Sequence, residues 1–398
     1  MEVKKIDLKL TLLLFLTVEP PYFSTISWVN SVYDYGQYLL FFSLIFLILA
    51  KKKARELMRK PSNYFIAFYI YLLWLSTYSR GSIVALQYIF GANKAAITFL
   101  LLLIYEFSEH PKAITRCLRN FDIYLYINFL TIMAFPNGLY RSGSYMCWFL
   151  GYKNPQIRII LPIVFYLFLS DYLAQSKISL RTIVDTICAA STTVITKSGT
   201  GLTGLLIFGA IIFIGVNLKF IYNKLLSIKT IVGSVIILVL AFVVYQIQYT
   251  NQIVSTIITE FYGKSLDFSA RTLIWKRAIE LIKDHLWLGY GYLDSYQNAQ
   301  LFGFEWPVAH PHNYYLYLLL TGGILLLLLF LLIIADYAKK VKQHGYSKIT
   351  VCTTAYIAAI LVMGITESMT EFAMFYGALY LAIKCIEISG LETAHLEP

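Results

Sequence analysis

The residues best suited to chemistry lie between 269 and 324, where His310, Pro311, His312 and Asn313 precede a long apolar run. A histidine at the mouth of a membrane span, beside a basic loop, can act as a general base near neutral pH. Two histidines in an HxH pattern can also bind a metal, but the spacing places no third ligand beside them, so we predict no metal. A polar cluster that merely begins a helix is the structural alternative.

The beginning of the same segment combines positive charge with helical periodicity. Apolar residues between 268 and 288 recur at the spacing of an amphipathic helix, which we expect to lie in a membrane interface with its apolar side toward lipid. Arg271 and Trp275 are four residues apart and share a face, whereas Arg277 lies further round. An arginine beside an interfacial aromatic ring can bind a lipid phosphate through two hydrogen bonds, but ordinary contact with lipid headgroups fits the spacing equally well.

A Gly-x-Gly pattern follows at Gly289 and Gly291. It lacks the strand, the further glycine and the acidic partner of a dinucleotide-binding motif, and the chain contains no P-loop motif. We therefore predict neither a nucleotide site nor a cofactor. We expect both glycines to form turns that bring the backbone close to a ligand or to a neighbouring helix.

The rest of the chain must hold these residues in a membrane. Of the 398 residues, 58% are hydrophobic and only 14% are charged, against about a quarter in soluble domains. Because backbone polar groups in lipid must pair within helices, we predict an all-α, polytopic membrane protein with about 12 spans. The predicted spans are 8–19, 35–50, 63–79, 83–107, 121–138, 157–174, 181–197, 200–216, 230–250, 313–335, 349–365 and 370–388.

The distribution of positive charge predicts the orientation of these spans. Most of the 33 Lys and Arg fall in alternate loops, which the positive-inside rule assigns to the cytoplasm. We expect both termini to be cytoplasmic, with loop 138–156 and the large loop 251–312 extracytoplasmic. The chain then divides into N-terminal spans (1–250), the large loop with its amphipathic helix, and C-terminal spans (313–398). The net charge of +11 reflects this topology, and we predict no nucleic-acid partner.

Several further charged residues lie at the predicted outer face. Arg141 is in the outer loop 138–156, and Arg158 is at the start of the sixth predicted span. Lys197 precedes the turn between spans seven and eight. The positive-inside rule disfavours Lys and Arg on the extracytoplasmic side, so these cations suggest an anionic ligand there. Extracytoplasmic loops also carry some positive charge without any ligand. Glu367 and Glu371 are one helical turn apart and can face one cavity, where they would pair with arginines or contact sugar hydroxyls.

Together these features resemble the O-antigen ligase / Wzy-type polysaccharide polymerase superfamily, and within it the capsular polysaccharide polymerases of Gram-positive bacteria. The similar segments are DFSARTLIWKRAIELIKDHLWLGYGY at 267–292 and AHPHNYYLYLLLTGGI at 309–324. Weaker similarities are the Arg-Ser-Gly at 141–143 with GYKNPQ at 151–156, and ITES at 365–368. The order of these segments and their common predicted face are the specific part of the resemblance.

The resemblance implies a C-type glycosyltransferase of the bacterial plasma membrane that needs neither a metal nor a nucleotide sugar. A polyprenyl-pyrophosphate-linked glycan would be the donor and a second lipid-linked repeat unit the acceptor, with a chain-length regulator and a flippase as further partners. Arg271 and Arg141 resemble arginines that bind pyrophosphate and acceptor. His312 matches the histidine of the family's HN motif, which is thought to activate the acceptor hydroxyl, and His310 competes for that role. The other residues expected to bind substrate are Arg158, Lys197, Arg277, Trp275, Asn313, Glu367 and Glu371.

The chain departs from the family pattern in two places. The family often has Ser-Arg-Thr where this chain has Ser-Gly-Thr at 198–200, and Lys197 is the cation that stands beside it. A proline expected before the Gly-x-Gly is replaced by Leu-Trp at 286–287. Both departures leave the role of these turns open.

Two other functions are compatible with much of this sequence. A ligase that transfers glycan to a different acceptor would share the same motifs. A flippase or other transporter of lipid-linked oligosaccharide would be expected to have internal repeats and ionisable residues at mid-bilayer. We find no convincing repeat, and the best intramembrane candidate, Asp185, lies toward the predicted cytoplasmic end of its span.

Overall fold

The structure, a computed structural model, describes residues 2–59, 68, 71, 74, 83–174, 177–225, 230, 232–234, 236, 269–304, 308, 310–369 and 373–394. Most of these residues are helical. The helices with continuous bounds are α1 (Glu2–Thr17), α2 (Ser27–Ala50), α3 (Lys52–Arg59), α4 (Ile83–Glu109), α5 (Pro111–Leu118), α6 (Asp122–Ala134), α7 (Ile157–Ala174), α8 (Leu180–Ile195), α9 (Gly199–Asn217), α10 (Lys219–Leu225), α11 (Ser269–Asp284), α12 (Ser295–Phe302), α13 (Tyr314–His344), α14 (Lys348–Met363) and α15 (Ala373–Ala394).

Several of these helices are long and apolar enough to cross a membrane. By length and composition, 4 of those in the described ranges qualify, namely α2, α7, α9 and α13. The predicted spans 63–79 and 230–250 lie mostly outside the described residues, and each of the other predicted spans coincides with a helix. The prediction of a mostly helical membrane protein is therefore confirmed, while the number of spans and the orientation of the termini stay predictions.

Helices α7, α14 and α15 form the buried centre of the helix bundle. Buried residues run without interruption from Ile157 to Tyr172 in α7, which packs against both α14 and α15. Helix α9 approaches α14 closely because it presents a glycine there: a Cβ on Gly204 would lie 2.1 Å from the Sδ of Met363. Arg158, in the first turn of α7, is thus held by the most rigid part of the fold.

The predicted outer loop 138–156 contains a small antiparallel sheet, so the all-α prediction was wrong at this point. Its strands are β1 (Tyr140–Ser142), β2 (Tyr145–Trp148) and β3 (Gly151–Tyr152), in the order β1-β2-β3. Arg141 pairs with Met146 across the first hairpin. Aromatic and β-prone residues on both sides of a Ser-Gly turn favour such a hairpin, and this signal was missed in the sequence. The Tyr22 N–H donates to the Phe149 carbonyl (3.2 Å), which ties the sheet to the end of α1.

Helix α13 is broken one third of the way along its length, at Gly323, which has φ 61° and ψ −161°. The loop that carries Gly289 and Gly291 lies against this break. Tyr290 N–H donates to the Leu320 carbonyl and Gly291 N–H to the Thr321 carbonyl, each at 2.8 Å. The carbonyl groups that lose their helical partners at the break are thus hydrogen-bonded to the loop, as backbone polar groups within a membrane must be. The Gly-x-Gly therefore approaches a neighbouring helix, which is one of the two alternatives drawn from the sequence.

Replacing Gly323 with alanine should destabilise the protein strongly. A Cβ at this position would lie 2.2 Å from the Trp287 carbonyl oxygen, and the backbone is in the left-handed region. The two effects together should lower the free energy of unfolding by about 2–5 kcal/mol. Thermal unfolding in detergent would measure this, with Gly209→Ala as control because a Cβ there meets no atom within 4 Å. Equal midpoints for the two variants would contradict the close packing of the loop on α13.

The amphipathic helix predicted near 268–288 is present as α11, but its apolar face does not point toward lipid as predicted. Ile274, Trp275 and Leu281 are buried in a satellite core together with Phe302 of α12 and Leu316 of α13. The expectation failed because periodicity shows that a helix has an apolar face without showing what covers it. The consequence for the site is that α11 is fixed to protein, so its arginine is held in place.

Candidate active site

The site is built around the contact between two chain segments, the turn that follows α14 and the residues that precede α13. Tyr314 N–H donates to the Gly364 carbonyl (2.7 Å). Asn313 caps α13, because its Oδ1 accepts from Leu316 N–H (3.0 Å), and its Nδ2 donates to the Ile365 carbonyl (3.0 Å). The Asn313 side chain is fully buried. The structure therefore shows this residue joining the two segments, with both ends of its amide bound to protein.

Helix α11 fixes Arg271 above this junction. Trp275 is 1% exposed, and its indole N–H donates to the Pro311 carbonyl at 2.6 Å. One turn earlier, Arg271 Nη1 donates to the Thr366 carbonyl at 3.3 Å. The shared face of these two residues, predicted from their spacing, is thus turned toward the 310–313 and 364–368 segments. Burial lowers the pKa of Arg271 and nearby Glu367 opposes that change, so the guanidinium remains a cation at neutral pH.

Arg158 and Glu367 form a buried ion pair, with Nη2 2.6 Å from Oε1 and side chains 3% and 4% exposed. The two residues are 209 positions apart in the chain. A buried pair of this kind is costly to break, because the remaining charge would be left without compensation. Glu367 therefore holds the Arg158 side chain in position beside the histidines.

His310 and His312 lie side by side, with ring centroids 4.2 Å apart. The His312 N–H donates to His310 Nδ1 at 3.2 Å, and His312 has a φ of 51°, which costs a non-glycine residue about 1–3 kcal/mol. Burial, the other histidine and the two arginines lower the pKa of His310 to about 2. Burial and Arg271 are the main causes that lower the pKa of His312 to about 4, while Glu367 raises it and Arg158 lowers it further. Both rings are therefore neutral at physiological pH.

These five residues, Arg158, Arg271, His310, His312 and Glu367, are called the arginine–histidine cluster below. It combines two cations, one carboxylate and two neutral imidazoles, so its charge is positive. A buried site with this charge favours an anion, because its donors are fixed before the ligand arrives. The same site offers an unprotonated imidazole nitrogen, which can accept a proton.

The cluster also contains a set of potential metal ligands that the sequence did not indicate. One ligand atom each from His310, His312 and Glu367 lie within 4.8 Å of one another. Two histidines and a carboxylate are a known set for divalent metals. Here, however, Glu367 is already bound to Arg158, and Arg271 adds a second positive charge that would repel a dication. The residues present therefore fit an anion better than a metal ion.

We expect chelators to leave the activity of this site unchanged. The purified protein would be treated with an excess of EDTA, and the chelator would then be removed. The activity of the site should be preserved, because the positive charge of the cluster disfavours a bound dication. Metal content by mass spectrometry and the rate before and after treatment would be compared. Loss of activity that stoichiometric Zn²⁺ or Mn²⁺ restores would show that the three ligands hold a metal after all.

Among the described residues, Arg277, Arg141 and Lys197 were also predicted to bind substrate, and the structure does not bring them into the cluster. Arg277 Nε donates to the Phe302 carbonyl (3.3 Å), so it caps the end of α12. Arg141 is exposed on β1. Lys197 is exposed and has a φ of 53°. The turn that follows it contacts the site, since the hydroxyl oxygens of Thr200 and Thr366 are 3.5 Å apart. Glu371 lies outside the described residues. Substrate binding by these four residues stays a prediction.

Tyr152 of β3 is a site residue that the sequence reasoning missed. Burial, Tyr145, Cys147 and Glu367 raise the pKa of its phenol, while Arg271 lowers it, which places Tyr152 within electrostatic range of the cluster. Its ring lies 4.7 Å from that of Tyr145. The GYKNPQ segment was noted in the sequence, but one tyrosine among 32 gave no reason to select this one.

Comparison with known proteins gives one family match, and its range overlaps the cluster. The family model described as O-antigen ligase matches residues 186–331, a range that contains Arg271, His310 and His312. Arg158 and Glu367 lie outside the matched range and join the site through the fold. A search of curated proteins finds no match. Residues 186–331 thus match the O-antigen ligase family model, which confirms the resemblance of this chain to the O-antigen ligase / Wzy-type superfamily.

Proposed function

We propose that this protein is a polysaccharide polymerase that joins polyprenyl-pyrophosphate-linked oligosaccharide repeat units into a capsule or O-antigen-type polymer at the outer face of a bacterial plasma membrane. The observation that supports this best is the buried arginine–histidine cluster. Glycosyl transfer from a lipid pyrophosphate requires a place for the charge of the leaving group and a base for the acceptor hydroxyl, and the cluster contains groups suited to both.

The two arginines bind the donor pyrophosphate. The Thr366 carbonyl holds Arg271 and the Glu367 carboxylate holds Arg158, so both guanidinium groups are oriented before the donor arrives. Preorganised cations stabilise the charge that develops on the leaving oxygen without a costly rearrangement. Glu367 acts through Arg158 and is a positioning residue in this scheme.

Transfer takes place in one displacement step. The acceptor hydroxyl oxygen attacks the anomeric carbon of the donor, and the bond between that carbon and the pyrophosphate oxygen breaks. His312 takes the hydroxyl proton, and polyprenyl pyrophosphate leaves with the bonding electron pair. The products are a lengthened, still lipid-linked glycan and one polyprenyl pyrophosphate, and the proton on His312 then passes to solvent.

His312 fits the role of the base better than His310. His310 Nδ1 accepts the His312 N–H, so in the neutral ring its proton is on Nε2 and neither nitrogen is available to accept another. Its pKa, about 2, is also the lower of the two. His310 therefore supports the strained backbone of His312. This arrangement favours His312 over His310 as the base.

The pH dependence of the reaction should report the lowered pKa of His312. A general base must be neutral, so activity is lost as the pH falls through its pKa, which is about 4 in the free protein. We expect kcat/KM to stay level from about pH 8 down to about pH 5. Bound pyrophosphate offsets the arginine charges and raises this pKa, so kcat should begin to fall at a higher pH than kcat/KM. A tenfold loss of kcat/KM between about pH 7 and pH 6 would indicate an ordinary histidine instead.

Ligation to a different acceptor is the second candidate, because the matching family is described as O-antigen ligase. The cluster would perform the same displacement in both reactions. The two differ in the molecule that supplies the attacking hydroxyl, which must be tested with defined substrates.

The test uses purified protein in nanodiscs with a lipid-linked repeat unit as the sole glycan and no metal or nucleotide. A polymerase gives a ladder of products on a gel, spaced by one repeat unit. A ligase gives no ladder until a separate acceptor is added, and then one product per acceptor. Absence of both, together with movement of the lipid-linked glycan across a proteoliposome membrane, would overturn the proposal in favour of a flippase.

A further inference from the structure

A polar cavity of about 240 Å³ lies beside the first turn of α7. Its wall includes Ile159, the residue after Arg158, so the cavity and the arginine–histidine cluster flank the same helical turn. The other walls come from the end of α1, from α2 and α4, and from Met374 near the start of α15. The proposed mechanism uses none of the residues that line this cavity.

Five polar residues line the cavity, namely Thr17, Glu19, Asp34, Gln37 and Lys94. Lys94 is 9% exposed, forms an ion pair with Asp34 and lies 4.6 Å above the Tyr38 ring. Its charge is therefore balanced inside the protein. The Asp34 side chain is 47% exposed, so the cavity can be reached from the surface.

Glu19 lacks the partner that a buried carboxyl group normally has. Its Oε1 is buried, and no described residue hydrogen-bonds to it. Buried polar atoms are nearly always hydrogen-bonded, so an orphaned oxygen in a cavity wall points to a ligand that donates a hydrogen bond.

Val18, Ile159 and Met374 contribute apolar surface to the same cavity. A sugar ring has hydroxyls around its edge and C–H groups on its faces, so it matches a lining that contains both polar and apolar groups. Because Lys94 is already paired, the cavity has no uncompensated positive charge and does not suit a pyrophosphate. Its volume is several times the roughly 30 Å³ share of one water and below the roughly 300–1,000 Å³ of drug-sized pockets.

We infer that this cavity binds one neutral sugar ring of the acceptor glycan, with the Glu19 carboxyl accepting a hydroxyl hydrogen bond. Its place beside the first turn of α7 puts the bound ring close to the cluster where the acceptor hydroxyl must react. The role as an acceptor subsite rests on the proposed function, whereas the binding of a sugar ring does not.

The kinetic test compares variants that alter the cavity without removing its ion pair. Gly91→Leu fills the space: a Cβ at Gly91 meets only the Tyr38 hydroxyl, at 3.6 Å, and leucine favours the helix. Glu19→Gln replaces the charged acceptor with an amide. Gly209→Leu on α9 is the matched control, because a Cβ there meets no atom within 4 Å.

The assay uses a lipid-linked donor at saturation and a soluble repeat-unit oligosaccharide as acceptor. Both cavity variants should raise the acceptor KM about 10-fold, because Glu19→Gln replaces a charged hydrogen-bond acceptor with a weaker neutral one and Gly91→Leu occupies the space of the sugar ring. The kcat and the donor KM should match those of the control. An unchanged acceptor KM, or a change confined to the donor KM, would overturn the inference.

A second measurement separates this inference from the proposed function. A hydrophobic carbodiimide reacts with carboxyl groups in apolar surroundings, so Glu19 should be labelled, and methyl glycosides of common hexoses should protect it. If the wild-type protein transfers no glycan but glycosides protect Glu19, the sugar site stands and the proposed function fails. Failure of every glycoside to protect Glu19, or protection by Na⁺ or K⁺ alone, would overturn the sugar site.

Discussion

Replacing Arg271 with alanine should reduce the rate of glycosyl transfer by roughly 10²–10³-fold or more, the cost of removing a preorganised donor from a developing negative charge. The loss should be in kcat as well as in donor KM, because the charge on the leaving oxygen grows as the bond breaks. Arg271→Lys should retain part of the charge but lose the planar fork, and should therefore remain severely impaired. Single-turnover rates with purified variants in nanodiscs would measure both.

The matched control for this prediction is Lys276→Ala on the same helix. Lys276 is exposed, whereas Arg271 is fixed above the 364–368 turn. Removal of either residue takes one positive charge from α11, so a general effect of charge on lipid binding would weaken both variants alike. Equal rates for the two variants would refute a specific role of Arg271 in the reaction.

Removal of the His312 imidazole should lower kcat by roughly 10²–10⁴-fold, the usual contribution of a positioned general base. His312→Asn is the informative variant, because asparagine tolerates the positive φ of 51° at this position better than alanine does. The donor KM should change little, since the arginines still bind the pyrophosphate. Transfer rates and donor KM, measured together, would check this.

A rescue experiment distinguishes loss of the base from loss of structure. His312→Gly also suits the backbone and leaves space for a small molecule. Imidazole added to this variant should restore part of kcat, with a pH dependence that follows the added base. His310→Ala should lose less activity than His312→Asn, because His310 only supports the His312 backbone. The opposite order would assign the base to His310.

The sequence was sufficient to identify most members of the cluster but not their arrangement. Arg271, His310 and His312 lie within one segment of the chain, so motif and helical spacing could select them. The Arg158–Glu367 pair joins residues 209 positions apart, and no local pattern encodes such a contact. Both had been selected individually as charges at the predicted outer face, which is why their pairing could be recognised once the fold was known.

The error about α11 concerns what the helix packs against. Its apolar side was assigned to lipid, yet Trp275 is buried against Pro311. The amide of Asn313 joins α13 to the 364–368 turn, a contact that the sequence did not indicate, and substrate binding by Asn313 stays a prediction. A periodic pattern defines a face, and tertiary contacts decide whether lipid, protein or ligand covers it.

The central claim is that the arginine–histidine cluster transfers glycan with release of polyprenyl pyrophosphate, and a single-turnover measurement of the released lipid tests it most directly. The purified protein, in nanodiscs with chelator present, would be given a lipid-labelled donor with and without acceptor. We predict one polyprenyl pyrophosphate released for each glycosidic bond formed, dependent on acceptor, abolished in Arg271→Ala and retained in Lys276→Ala. Glycan transfer without release of this lipid, or equal release by Arg271→Ala, would contradict the account.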